Sequence, residues 1–259
     1  MHSVFFPMEL SAKMVLIVVA GVFAAAFVDG IAGGGGIISV PSYFLAGLPP
    51  HLALGTNKMT SCIGTMVSTG RYIRQGYVDW KLAAPSVLLA LTGSYFGTKL
   101  QLSVDEVYLK WLLLLILPVV AVVVLRQRSF PEERGEIAAG KQMAIVLLAS
   151  LVIGTYDGFY GPGTGTFLLL IFCNLAKLDL RTASGYMKVV NLSSNIGGVT
   201  TAFLNGKVFV ALGLFGALAS IAGHYIGSGL AIKDGSRIVR PVILVVLTLL
   251  AIKVITELL

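Results

Sequence analysis

The chain has 259 residues, of which 56% are hydrophobic and only 12% charged. Soluble domains carry roughly 25% charged residues, so the composition sets aside a soluble enzyme and indicates a polytopic helical membrane protein. The net charge of +7 lies in short loops, where it is expected to fix orientation and touch anionic lipid rather than nucleic acid.

Apolar segments run in order over 14–28, 37–48, 52–73, 82–100, 107–125, 142–156, 166–176, 180–204, 208–232 and 238–258. Six are long enough to span a bilayer. The others flank two glycine-rich interruptions. Residues 1–13 lack the basic region and small-residue cleavage site of a secretory signal, so the first apolar segment is expected to be kept. Cys62 and Cys173 fall in apolar segments and suggest neither a disulfide framework nor a metal site.

The first interruption reads Asp29-Gly30-Ile31-Ala32-Gly33-Gly34-Gly35-Gly36, closed by Pro41. The second reads Asp157-Gly158-Phe159-Tyr160-Gly161-Pro162-Gly163-Thr164-Gly165. Each Gly costs about 1 kcal/mol in helix propensity, so a straight lipid-facing helix gains nothing from such runs. Non-helical backbone at membrane depth is tolerated where protein buries it or where it lines a wet cavity. Both stretches therefore predict helix breaks at a binding site. Segment 37–48 would be about 18 Å long as a helix, against a hydrocarbon core of about 30 Å, so each break joins short or tilted helices, in one form a re-entrant hairpin.

The two halves repeat. Ala53-Leu54-Gly55-Thr56-Asn57-Lys58 matches Ala183-Ser184-Gly185-Tyr186-Met187-Lys188 at an offset of 130. Gly76 matches Gly206, and Gly93-Ser94-Tyr95-Phe96-Gly97 matches Gly223-His224-Tyr225-Ile226-Gly227, in the same register. Asp29-Gly30 matches Asp157-Gly158 at an offset of 128. Such repeats are a usual skeleton of secondary transporters. The expected fold is all-α and polytopic, with two inverted structural repeats. Each has a Gly-rich broken or re-entrant hairpin plus three full transmembrane helices. The expected organisation is a first repeat over 1–125, a cytoplasmic loop over 126–141 and a second repeat over 142–259.

If each break returns the chain to its own side, twelve Lys and Arg between Arg71 and Arg240 share one face, and Lys13, Lys99, Lys110, Lys207 and Lys253 share the other. The positive-inside rule then makes the first face cytoplasmic. Both termini are expected outside.

Lys58 and Lys188 remain, each about two turns inside a long apolar segment. A cation at that depth costs several kcal/mol unless paired or wetted. Contact with substrate or coupling ion, structural pairing with a carboxylate, and snorkelling are all open readings. Asp29 and Asp157 are the carboxylates expected within the membrane core. They are candidate carriers of a coupling ion, counter-ions to the lysines, or caps for the free N–H groups at a helix start. N–H groups of Gly33, Gly34, Gly35, Gly36, Gly161, Gly163 and Thr164 could face an anion, or these residues could serve close helix packing. Asn57, Asn191 and Asn195 are candidate orienting amides. Asn191 and Asn195 share a helix face with Lys188. Thr56, Thr60, Ser193 and Ser194 are weaker candidates, and His224, opposite Ser94 in the repeat, could titrate. No metal-ligand pair, nucleophile elbow or phosphate loop is present as a motif, which argues against an enzyme and against any cofactor.

These motifs closely resemble the TauE/SafE family, the sulfite exporter or 4-toluene sulfonate uptake permease family. The first half carries the more specific pattern in Asp29 to Gly36, Pro41, Gly47-Leu48-Pro49-Pro50 and Ala53 to Lys58. The second half matches through Gly154 to Gly165 with Lys188, Asn191 and Asn195. It departs in having Gly161-Pro162-Gly163 for four glycines and Tyr186-Met187 for Thr56-Asn57. The resemblance implies an inner-membrane permease of bacteria or archaea for sulfite, sulfonates, sulfoacetate and related anions. The expected partners are a small anionic substrate and the lipid bilayer, with homodimer formation left open. The competing expectation is a permease or channel for another small anion such as a carboxylate.

Overall fold

The structure, a computed structural model, describes residues 7–108, 133–235, 237–238 and 241–242. Expected spans 107–125 and 238–258 fall almost wholly outside the described residues, as does the first part of the 126–141 loop. Among the described residues the regular structure is helical: α1 (Ala12–Ala32), α2 (Gly36–Leu45), α3 (Pro50–Arg74), α4 (Trp80–Ser103), α5 (Ala139–Phe159), α6 (Thr164–Asn174), α7 (Leu180–Leu204) and α8 (Val210–Asp234).

Local chemistry sets the boundaries. Ser11 caps α1 by accepting the Met14 N–H at 3.2 Å. Asp79 accepts from Lys81 N–H at the start of α4, and Asp179 from Thr182 N–H at the start of α7. These oxygens satisfy donors that the helix itself leaves free. Pro50 opens α3, where its missing N–H costs nothing. Gly76 and Gly206, matched in the sequence repeat, both follow a long helix with positive φ (77° and 68°). The match thus marks one kind of helix stop used twice.

The glycine stretches break the chain as expected. α1 ends at Ala32 and α2 starts at Gly36; α5 ends at Phe159 and α6 starts at Thr164. α2 and α6 have 10 and 11 residues, about half the length needed to cross a bilayer core. α1, α5 and α8 are long and apolar enough to cross one. α3, α4 and α7 have 25, 24 and 25 residues, which is sufficient length, but they are more polar. Thr56, Thr65, Ser68, Ser94, Ser184 and Ser194 on these helices are all buried.

The outer surface of the helices is apolar, as the core is. Leu16, Leu88, Leu148 and Leu218 lie exposed on α1, α4, α5 and α8, as a lipid-facing surface requires. Helix contacts between them are made on small residues. Gly223 and Gly227 of α8 lie against the backbone of α1 at Phe23 and Phe27, and Gly93 and Gly97 of α4 lie against α5 at Leu151 and Thr155. A Cβ on Gly223 would come within 2.7 Å of the Phe23 carbonyl oxygen. The helices group accordingly. One cluster joins α1, α2 and α3 with α8 through Val18, Tyr43, Leu52 and Leu212. The larger one joins α5, α6 and α7 with α4 through Val146, Leu169, Val190 and Ala90. The fourth described helix of each half thus packs with the other half.

Candidate functional site

The two breaks abut at the centre. Gly33 lies against Gly165, and Gly36 against Pro162, so closely that a Cβ at Gly33 would sit 2.6 Å from the Gly165 carbonyl carbon. Gly33 also has φ +74°, a conformation that glycine alone adopts readily. Around this contact pass α3 and α7, linked where Thr69 donates to the Lys188 carbonyl at 3.1 Å.

The buried charges pair across the halves. Lys58 Nζ of α3 lies 2.6 Å from Asp157 Oδ2 of α5. Lys188 Nζ of α7 lies 3.0 Å from Asp29 Oδ2 of α1 and also donates to the Asp29 backbone carbonyl. Neither lysine snorkels: their side chains are 7% and 0% exposed. The remaining bonds of each carboxylate differ. Asp157 accepts from the hydroxyls of Ser194 (2.6 Å) and Thr164 (2.8 Å). Asp29 Oδ1 accepts the Gly35 N–H at 3.2 Å, so this carboxylate both holds a lysine and caps the entry to α2. His224 Nε2 stands 3.6 Å from Asp29 Oδ2.

These groups border one small cavity of about 30 Å³, the size of one or two waters. It is lined by Asp29, Gly34, Gly35, Gly36, Asn57, Lys58, Asp157, Gly161, Thr164, Asn191 and Asn195. Most of the sequence-predicted residues are thus brought together. Asn195 Nδ2 donates to Asn191 Oδ1 at 3.2 Å, while Asn57 Oδ1 is buried with no hydrogen-bond partner among the described residues. A Cβ on Gly161 would come within 3.2 Å of Asp157 Oδ1 and 3.3 Å of Lys58 Nζ, and the backbone there has φ +97°, which favours glycine.

Three predicted residues stand elsewhere. Lys188 is sealed behind Asp29 and does not line the cavity; Gly33 is spent on contact with Gly165; Gly163 (φ 87°) forms the turn into α6. The N–H groups of Gly33, Gly35 and Thr164 already bond within the breaks. Sequence reasoning passed over Ser39, Ser61 and Ser220, which also line the cavity. Ser61 is four residues from Asn57, and Ser220 four from His224, so each shares a helix face with a noted residue. That spacing was the available signal. Among the described residues, no group of three His, Cys, Asp or Glu side chains could hold a metal ion.

A family model described as sulfite exporter TauE/SafE matches residues 17–254. A probable membrane transporter protein, ORF9, of Sinorhizobium sp is 32% identical over 252 residues, covering 96% of this chain and 95% of the relative. The probable membrane transporter protein YfcA of Escherichia coli K12 is 33% identical over 234 residues, covering 90% and 86%. A probable membrane transporter protein of Haemophilus influenzae is 29% identical over 251 residues, covering 96% and 98%. No solved structure matches. With a match that runs almost end to end, and with lipid-suited helices enclosing a polar centre, the chain is a multi-pass membrane transporter that belongs to the TauE/SafE family.

Proposed function

We propose that the chain is a secondary permease for a small sulfur oxyanion or organosulfur anion, of sulfite, sulfonate or sulfoacetate type, held between the two glycine breaks near mid-membrane. The observation that carries this reading is the crossed pairing of Lys58 with Asp157 and Lys188 with Asp29 around one polar cavity. Each carboxylate keeps its ammonium charged at a depth where an unpaired cation is costly. An incoming anion competes with the carboxylate for that ammonium, a compact point charge suited to small oxyanions. Thr164 and the amides of Asn57, Asn191 and Asn195 supply further polar contacts. Lys188 acts by holding Asp29 in position.

The cavity is too small for such an anion as it stands, so binding requires the two packing groups to part. Alternating access rocks α1, α2, α3 and α8 against α5, α6, α7 and α4 as two inverted, re-entrant units. In this reading both termini face outward from a bacterial or archaeal inner membrane. The family's sulfite-exporter description supports the substrate class.

The test is counterflow in proteoliposomes loaded with unlabelled sulfite, sulfoacetate, methanesulfonate or acetate. Saturable exchange of the sulfur anions is expected, with acetate exchanged weakly. Lys58→Ala and Lys188→Ala should each cut exchange about tenfold or more, the scale of one charge-assisted hydrogen bond. Exchange of acetate alone would favour a carboxylate permease. Undiminished exchange in both variants would refute the site.

A further inference from the structure

The site's charges already cancel. Two ammoniums, Lys58 and Lys188, meet two carboxylates, Asp157 and Asp29, at 2.6 and 3.0 Å. A monoanion bound there adds one uncompensated negative charge to an enclosed, poorly solvated space, which is strongly unfavourable unless a cation enters with it. The lining holds a group able to supply that cation. His224 is 2% exposed, borders the cavity, and has Nε2 3.6 Å from Asp29 Oδ2. Its Nδ1 is buried without a hydrogen-bond partner among the described residues. At the matching repeat position stands Ser94, which cannot take up a proton and whose hydroxyl is already given to the Ser194 carbonyl.

We infer that His224, with Asp29, is the proton-binding site of this transporter, and that one proton travels with each monoanion. This rests on the anion reading above. The neutral imidazole takes a proton from the medium as the anion binds; the imidazolium donates to Asp29, and release of the anion returns the proton on the other side. Net charge in the site stays at zero throughout. The surroundings suit this role. α1 presents Asp29 to the ring and α7 presents Lys188 beside the same oxygen. α3 packs Gly64 against the imidazole and sets Lys58 across the cavity, with Cys62 near Lys58 and Asp157 of α5 paired to it. Tyr43 of α2 meets α8 about two turns away at Gly216, and Arg71 of α3 is engaged one residue on, at the Tyr225 carbonyl. Asp29 is the only carboxylate against the ring among these groups. The asymmetry between the halves then has a purpose: Asp157 is tied by hydroxyls, whereas Asp29 is left facing a titratable partner.

The experiment uses methanesulfonate, a monoanion at all working pH values, with the whole protein in liposomes. Counterflow first establishes anion exchange without a proton gradient; its absence counts against the anion reading itself. An imposed gradient of one pH unit should then concentrate methanesulfonate about tenfold, with no response to an imposed membrane potential or to sodium. In His224→Gln and His224→Asn, whatever the exchange rate, the accumulation ratio should fall to about one. Imidazole ¹⁵N shifts of the wild-type protein, which has three histidines, provide a readout independent of any variant. His224 should change from neutral to doubly protonated when methanesulfonate is added near neutral pH. Exchange without pH-driven accumulation, sodium-driven accumulation, full accumulation in the His224 variants, or a ring that stays neutral with the anion bound would each overturn the inference.

Discussion

The two buried ion pairs determine what each residue at the centre can tolerate. Lys58 and Asp157 are almost free of solvent contact, so removing one partner strands the other. Lys58→Met should destabilise the protein by about 3–5 kcal/mol, the usual cost of an orphaned buried charge. Lys58→Met combined with Asp157→Leu should recover most of that loss, because an apolar pair of similar volume is often as stable as the ionic one. Thermal unfolding in detergent reads both. The double variant should remain unable to exchange sulfur anions, which separates stability from transport. A double variant no more stable than the single one would mean that Asp157 is compensated by Ser194 and Thr164 alone. The identities of these four charges were legible in the sequence, because a charged residue stands out in apolar surroundings. Which lysine meets which aspartate was not. Lys58 pairs with the carboxylate of the opposite half, and that depends on how the helices of the two halves pack together, which no local pattern encodes. The same holds for His224, brought to Asp29 only by the packing of α8 on α1.

At the scale of elements, the two breaks meet backbone to backbone. Gly33 combines a left-handed φ with direct contact on Gly165. Gly33→Ala should cost about 1–3 kcal/mol from backbone strain, with further loss as the Cβ pushes the two breaks apart. Gly70 of α3 has open space around its Cβ position and no unusual φ. Gly70→Ala should be neutral or stabilising by up to about 1 kcal/mol, the helix-propensity gain. Equal shifts in melting temperature for the two variants would contradict the abutting breaks. The helices themselves were largely legible. Segments 52–73 and 180–204 correspond to α3 and α7, and the short segments 37–48 and 166–176 to α2 and α6, because apolar length and Gly or Pro punctuation act locally. The division of labour among the glycines was not. Gly34, Gly35 and Gly36 line the cavity while Gly33 and Gly163 shape the backbone, a distinction that depends on which surface each one meets.

For the whole molecule, the exchange of α4 and α8 between packing groups ties the halves together. The last described helix of the chain packs on α1 and α4 packs on α5, so each packing group contains helices from both halves of the chain. The crossed ion pairs bridge the two groups: Lys58 of α3 meets Asp157 of α5, and Lys188 of α7 meets Asp29 of α1. The most direct measurement is an experimental structure of the protein with methanesulfonate or sulfite bound. Anion density is expected between Gly34, Gly35 and Gly36 on one side and Gly161 and Thr164 on the other, with Lys58 Nζ turned from Asp157 to within hydrogen-bond distance of a sulfur-bound oxygen. Density lodged away from both breaks, with the Lys58–Asp157 pair intact, would contradict the account.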